Sequence, residues 1–289
     1  MVMLKSLVQM LRQSARQWRK SRKLSDGLRR VSRFDRASSA RHHGLPKQLI
    51  VSLTSYPARF DKLHLTLRGL LLQRMKPDAL ILWIDEQAYA KLPENVKELE
   101  GRGLQIKFTP DLGSFTKLVP ALKSYPEAYI VTADDDCYYD ENWLSKLVAG
   151  VNPQRPQIIA HRAHLAKLDV EGVLIPYGQW DLTTSASRAE AGNVRLFPTG
   201  VGGVIYPPNS LAPGVVDEEK FMRLCPKADD VWFFWMARLR GTEQVRLPGR
   251  FETITWPETQ ESGLWKSNFE EAGNDPQIKA MEREFGLIP

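Results

Sequence analysis

Three consecutive carboxylates, Asp134, Asp135 and Asp136, follow the apolar run Tyr129-Ile130-Val131-Thr132. Adjacent carboxylates repel one another, which costs stability unless a cation or hydrogen-bond donors balance them. Hard oxygen ligands of this kind suit magnesium or manganese, with one or two carboxylates on the ion and substrate phosphates completing its shell. Such an ion acts as a Lewis acid on a leaving diphosphate. The alternative is a solvated acidic turn that caps the helix starting near Glu141. A position at the end of a buried strand, opposite Asp85, favours the metal reading. A second acidic pair, Asp229-Asp230, precedes the apolar run from Val231 to Leu239. Carboxylates are stabilised at a helix N-terminus by the helix dipole. This pair is therefore either a cap or the source of a general base.

Other chemistries find less support. No GxSxG elbow is present, so a Ser/His/Asp hydrolase is not expected. His161 and His164 follow an apolar run and could approach a ligand or metal, but packing is the expected role. Trp180, Trp256 and Trp265 could stack on a sugar, with ordinary core use as the default. Cys137 and Cys225 are the two cysteines, and neither lies in a zinc-like spacing or a disulfide framework.

Elements must position these residues, and the chain between 47 and 150 alternates strand and helix patterns. Leu49 to Leu53, Leu80 to Ile84, Leu104 to Phe108 and Tyr129 to Thr132 read as buried strands. Between them, Leu63, Leu67, Leu70 and Leu71 mark one helix, with Asp61 as its cap. A short helix is expected around Glu94 to Leu99 and another over Lys117 to Lys123. Asp140 is expected to cap a helix that buries Trp143, Leu144, Leu147 and Val148. Such alternation predicts a mostly parallel sheet covered on both faces. Right-handed crossovers then bring the strand C-terminal ends to one rim, where ligands bind. Residues 151–289 lose the alternation, with strands expected near Ile158, Val201 to Tyr206 and Val245, and a short helix in the tail after Asn268.

The charge is uneven. The chain has 289 residues and a net charge of +6, yet residues 1–45 hold 12 Lys/Arg against Asp26 and Asp35 alone. The arm is thus basic and the body mildly acidic, so the overall basicity does not imply nucleic-acid binding. Leu4, Leu7, Val8, Leu11, Ala15 and Trp18 form an apolar stripe beside Lys5, Arg12, Arg16, Arg19 and Lys20. Arg22 falls on that stripe, so the amphipathic helix is expected to end near residue 21. A second basic piece carries Leu24, Leu28 and Val31. Such an arm suits an anionic membrane surface; docking on the body or on a partner is the other reading. No run is long and apolar enough to span a bilayer. Lys5 and Arg12 interrupt any signal segment, so no export leader is expected.

The runs IVSLTSYPARF, WID, TADDDCYY, FPTGVGGVIYPP and ADDVWFFWMARLRG resemble bacterial nucleotide-sugar glycosyltransferases of the GT-A fold. They are most similar to family-2-like enzymes of surface polysaccharide synthesis, over about residues 47–250. The resemblance implies an α/β fold, Rossmann-like with a mostly parallel sheet and helices on both faces, behind an N-terminal basic helical arm. It implies an arm over residues 1–45 and a domain over 46–289, with 46–150 binding nucleotide and 151–289 binding acceptor. It also implies a nucleoside-diphosphate sugar donor, a saccharide or lipid-linked acceptor, Mn2+ or Mg2+, and no nucleic acid. The protein would sit in the cytoplasm, on the inner face of the cytoplasmic membrane.

By the same resemblance, Thr54, Tyr56 and Arg59 border the base and phosphates, and Asp85 approaches the base or ribose. Asp134 faces ribose and metal, and Asp136 is the direct metal ligand. Asp135 stands in the variable position, which leaves open which two of the three carboxylates act. Lys117 reaches a donor phosphate or is a solvated helix residue. Gly200, Gly202 and Gly203 line the acceptor side or form a bulged turn. The family pattern has Glu-Asp where this chain has Asp229-Asp230, which points to Asp230 as base of an inverting transfer, with Asp229 as second choice. Two other functions are weighed: a sugar-nucleotide-forming nucleotidyltransferase, for which TSYPAR is a poor phosphate loop, and a non-catalytic membrane-associated adaptor.

Overall fold

β-branched and aliphatic residues fill three runs on both faces, and each becomes a buried strand. The computed structural model describes residues 2–34, 41–187, 194–249, 251–259 and 273–288. In chain order the elements begin with helix α1 (Val2–Ser32), strands β1 (Arg41–His42) and β2 (Leu49–Thr54), and helix α2 (Phe60–Leu71). Strands β3 (Met75–Lys76) and β4 (Ala79–Ile84), helices α3 (Glu86–Ala90) and α4 (Glu94–Lys97), and strand β5 (Leu104–Phe108) follow. Next come α5 (Val119–Ser124), β6 (Tyr129–Thr132), α6 (Trp143–Ala149), β7 (Ile158–Ala160), β8 (Ala163–Lys167), β9 (Val194–Pro198) and β10 (Val204–Tyr206). The chain continues through α7 (Glu218–Leu224), α8 (Asp229–Arg240), β11 (Gln244–Arg246) and α9 (Asn274–Phe285).

Seven strands form the central sheet in the order β11-β7-β10-β6-β2-β4-β5. β2 pairs in parallel with β4 (Val51 opposite Leu80) and with β6 (Val51 opposite Val131), and β4 pairs in parallel with β5. β10 runs against both of its neighbours, with Ile205 opposite Val131 of β6 and Ile159 of β7. Alternate side chains feed two cores, as period-2 geometry requires. Ile50, Ile81, Trp83 and Ile130 join the aromatic face of α8, while Val51, Leu80, Leu82 and Val131 meet α2 and α6. This is the architecture the sequence predicts: an α/β, mostly parallel sheet with helices on both faces and an N-terminal helix.

Several local expectations are corrected. α1 does not stop near residue 21 but runs unbroken to Ser32. Arg22 stays exposed, its guanidinium 5.6 Å from the centre of the Trp18 ring, so it breaks no packing. The last turns of α1 dock on the body: Val31 is buried, and Arg30 donates to the carbonyls of Leu72 and Tyr139. Asp61 lies inside the first turn of α2 rather than capping it. Asp140 forms a local turn, accepting from the Asn142 N–H at 2.9 Å, and gives α6 no side-chain cap. Val201 belongs to a 3-10 turn over Gly200–Gly202, and β10 starts only at Val204. The antiparallel pair β8–β9, with His164 opposite Phe197, was not foreseen.

Candidate active site

Parallel pairing places the ends of β2, β4 and β6 at one rim, and β10, running the other way, starts there. Val204 lies opposite Thr132. The turn before β10 is therefore beside the carboxylates that follow β6. Backbone bonds fix the acidic triplet: the Asp134 N–H donates to Tyr139 Oη at 2.8 Å, and the Asp136 carbonyl accepts from the Trp256 N–H at 3.0 Å. Thr66 Oγ1 donates to the Asp135 carbonyl at 2.8 Å.

The three side chains have different surroundings. Asp135 is turned into the protein, where Ser55 Oγ donates to its Oδ2 at 2.5 Å and Arg59 Nη1 to its Oδ1 at 2.7 Å. Arg59 Nη1 also lies 3.0 Å from Asp136 Oδ2. Burial lowers the proton affinity of Arg59, but Asp135 and Asp136 outweigh it and the guanidinium is held above its usual range. Burial raises Asp135 despite Arg59 and Ser55. Burial and then the charge of Asp134 push Asp136 up to about 6. The proton affinity of Asp136 is thus raised even with Arg59 beside it, and a divalent cation would favour its charged form. Asp136 is engaged too, by Arg59 at Oδ2 and by Cys137 Sγ, which donates to Oδ1 at 3.3 Å, so a hard ion at Asp134 and Asp136 would have to share these oxygens with the partners already on them.

A second cation sits deeper. Lys117 Nζ lies 3.1 Å from Asp134 Oδ1 and 3.1 Å from Asp229 Oδ2, with its side chain only 12% exposed. Burial pushes Lys117 down, but Asp134, Asp229 and Asp230 outweigh it and hold the ammonium well above its ordinary value. The solvated-helix alternative for this lysine is excluded. Its backbone is anchored to the central sheet, because Ser52 Oγ of β2 donates to the Lys117 carbonyl at 2.7 Å. Asp230 opens α8 and accepts from the Gly200 N–H at 3.0 Å through Oδ1. Burial, then repulsion from Asp229, push its carboxyl up to about 7, with Lys117 opposing. Gly200 lets the two side chains approach its backbone: a Cβ would come within 2.7 Å of Lys117 Nζ and 3.3 Å of Asp230 Oδ1, so the lysine would have to shift.

The structure thus gathers Arg59, Lys117, Asp134, Asp135, Asp136, Gly200, Asp229 and Asp230. Gly202 and Gly203 support the same turn from below. The Gly202 carbonyl accepts from Trp143 Nε1 at 2.8 Å, and a Cβ on Gly203 would fall 2.4 Å from Trp143 Cζ2. Thr54 and Asp85 lie at the rim but are tied locally. Thr54 Oγ1 donates to the Trp83 carbonyl at 2.8 Å, and Asp85 caps α3 by accepting from the Ala88 N–H at 2.8 Å. Tyr56 is half-exposed beside Arg59, whose guanidinium lies 5.5 Å from the ring centre.

Ser55, Thr199 and Arg162 belong to this region and were missed, since a serine, a threonine and an arginine in irregular segments carry no periodic signal. His161 and His164 are packing residues. His161 Nε2 meets the Trp143 carbonyl at 3.0 Å, and His164 Nδ1 accepts from the Thr183 N–H at 2.8 Å. Trp180 and Trp256 are buried and bonded to the Ile175 carbonyl and Thr66 Oγ1. Trp265 lies outside the described residues. Among the described residues, His42, His43 and Asp78 bring three possible ligand atoms within 4.8 Å of one another. His43 Nδ1 accepts from the Leu45 N–H, so Nε2 keeps its proton and donates to Asp78. That group is a hydrogen-bonded tie, not a metal centre.

No protein-family model matches the chain, and no curated protein matches it. Solved structures of similar fold share little sequence. S. aureus TarS 1–349 is 17% identical, with 71% of this chain and 59% of that one covered and a TM-score of 0.46. The chain thus spans less than two thirds of that protein's solved length. A mannosyltransferase, PcManGT from Pyrobaculum calidifontis, in complex with GDP-Man and Mn2+, is 12% identical over 90% of this chain and 71% of its own, at a TM-score of 0.49. A cytidylyltransferase from Leptospira borgpetersenii is 13% identical over 83% of this chain and 95% of its own, at 0.41. This chain is a mixed α/β protein, mostly parallel in its central sheet, with a cluster of paired carboxylates and cations on the rim where β2, β4 and β6 end.

Proposed function

We propose that this chain is a metal-dependent glycosyltransferase. It transfers a sugar from a nucleoside-diphosphate sugar to a saccharide or lipid-linked saccharide in bacterial surface polysaccharide synthesis, with inversion at the anomeric carbon. One observation carries the reading: Lys117 bridges Asp134 of the triplet to Asp229, and the adjacent Asp230, half-buried, is held by the Gly200 N–H. An acid–base carboxyl and a diphosphate-binding cluster thereby share one rim.

Asp134 and Asp136 would hold Mn2+ or Mg2+. When bound, the ion neutralises the leaving diphosphate as a Lewis acid. Arg59 keeps Asp135 and Asp136 in place. Lys117 offers its ammonium to a donor phosphate, and Thr54, Tyr56 and Asp85 border the nucleoside. The turn at Gly200, Gly202 and Gly203 faces the acceptor. Asp230 accepts the proton of the attacking hydroxyl, a task suited to a carboxyl whose pKa has been raised toward neutrality. Asp229 holds Lys117 rather than acting as base. Exposed residues 13–23 of α1, with Arg16, Arg19, Lys20, Arg22 and Lys23, support contact with an anionic membrane, which we take to be the inner face of the cytoplasmic membrane.

The triplet offers no complete cage of ligand atoms, so donor phosphates are needed to finish the metal shell. Metal and nucleotide should therefore bind cooperatively. In a thermal-shift screen, a nucleoside diphosphate or sugar nucleotide plus Mn2+ should raise the melting temperature more than the sum of each alone. Asp136→Ala should lose that synergy and all transfer while keeping the fold. Full transfer by Asp136→Ala with metal in excess would overturn the reading, as would release of pyrophosphate from a nucleoside triphosphate by the wild-type protein.

A further inference from the structure

The site's cations are not equally matched. Arg59 faces Asp135 and Asp136, and Lys117 faces Asp134 and Asp229. Arg162, between β7 and β8, forms no ion pair among the described residues. Its guanidinium donates one hydrogen bond there, from Nη1 to Thr199 Oγ1 at 2.7 Å. Burial lowers its proton affinity, while Tyr177, Asp230 and Asp134 act in the opposite sense. The guanidinium is half-buried, and two of its three nitrogens have no partner among the described residues. A partly desolvated charge without a counter-ion costs stability, and the cost is recovered when a ligand brings the opposite charge. Arginine's planar fork matches a carboxylate or phosphate with two parallel hydrogen bonds.

The position says which ligand. Thr199, which holds Nη1, also donates its backbone N–H to the Arg162 carbonyl at 3.1 Å. The next residue is Gly200, whose N–H donates to Asp230. Gly202 makes room for the arginine, since a Cβ there would lie 2.9 Å from Arg162 Cβ and 3.1 Å from its backbone nitrogen. Arg162 is thus built against the turn whose Gly200 N–H holds Asp230 of α8, not into the triplet. A ligand held by it lies on the side where the hydroxyl loses its proton.

We propose that Arg162 recognises an oxyanion on the acceptor, a carboxylate or a phosphate ester close to the reacting hydroxyl, so that this site selects acidic saccharides or sugar phosphates over neutral sugars. The proposal rests on the reading of Asp230 as the base. It needs no covalent step of its own, because Arg162 binds and orients.

The test is equilibrium binding to the full chain, followed by ligand-observed NMR with and without saturating nucleoside diphosphate and Mn2+. D-Glucuronate against D-glucose tests a carboxylate, and glycerol phosphate against glycerol tests a phosphate ester. At least one anion should bind about ten- to hundredfold tighter than its neutral counterpart, the weight of charge-assisted hydrogen bonds. Arg162→Gln should erase that preference, and Arg162→Lys, which keeps the charge without the fork, should restore part of it. Circular dichroism confirms that both variants fold. Equal binding of anionic and neutral probes to the wild type, or a preference that survives in folded Arg162→Gln, overturns the proposal. So does a loss of nucleoside diphosphate binding in Arg162→Gln, which would assign the arginine to the donor. Wild-type protein that binds no nucleoside diphosphate would instead overturn the transferase reading, and the anion titrations without nucleotide would still decide the role of Arg162.

Discussion

Asp230 couples chemistry to stability at a single carboxyl. Its ordinary value is 3.8, and in the folded protein it is pushed up to about 7. The folded state thus binds a proton that the unfolded state releases, and this group's contribution to stability falls as pH rises from about 4 to about 7. Asp230→Asn keeps an acceptor for the Gly200 N–H but cannot ionise. At pH 8 the variant should be more stable than wild type by about 1–3 kcal/mol after solvent screening, and at pH 4 the two should melt alike. Transfer should fall by about 10²–10⁴-fold, as on losing a general base, with nucleotide binding kept. Wild-type activity should climb as pH rises through 7. Equal urea midpoints at both pH values would contradict the burial argument. Asp134 to Asp136 were legible from sequence because a strand ends on them. The contact of Lys117 with Asp229 was not, because 112 positions separate the two residues and only the sheet brings them together.

Elements set how tightly such contacts can be made. The turn before β10 depends on Gly203, whose φ of +88° disfavours any side chain and whose missing Cβ admits the Trp143 ring. Gly203→Ala should destabilise the protein by roughly 2–4 kcal/mol in urea denaturation, combining backbone strain with overpacking. Gly178→Ala is the control: nothing lies within 4 Å of its Cβ position, and its φ is not in the left-handed range. A similar loss in both variants would remove the special role of the turn. The long apolar periods of β2, β4, α2 and α6 made these elements readable. β8 and β9 were not, because strands of five residues in a Pro- and Gly-rich region owe their shape to the main sheet beside them. The end of α1 was misjudged for a related reason. Tyr138 packs over Gly27, and Val31 is buried, so tertiary contacts carry the helix past Arg22.

At the scale of the molecule, a basic rod is joined to a mildly acidic body. Residues 13–23 of α1 are exposed, including Trp18, whereas Gly27 and Val31 are buried. Glu252, its side chain only 4% exposed, meets the exposed Arg16 at 3.8 Å and Lys23 at 3.4 Å, long contacts of modest energetic weight. Deleting residues 2–23 removes seven Lys/Arg but keeps the docked turns. Each basic residue near an anionic surface contributes about 1 kcal/mol. The deletion should therefore abolish sedimentation with phosphatidylglycerol vesicles and leave the melting temperature within about 2 °C. Undiminished sedimentation would show that the arm does not carry membrane contact. The charge asymmetry behind this was plain in composition; where the rod stops being free was not, since it is set by contacts with α2 and Tyr138.

β10 has one more consequence. The segments bearing Asp134 and Gly200 grow from adjacent strands, β6 and β10, whose ladder holds Val204 beside Thr132 at a single interstrand step of about 4.8 Å. Substitutions in the β8–β9 pair beyond that turn can therefore reshape what enters from one side without altering the spacing that the other side depends on. A scaffold wired in this way can diversify its second ligand while its first stays constant.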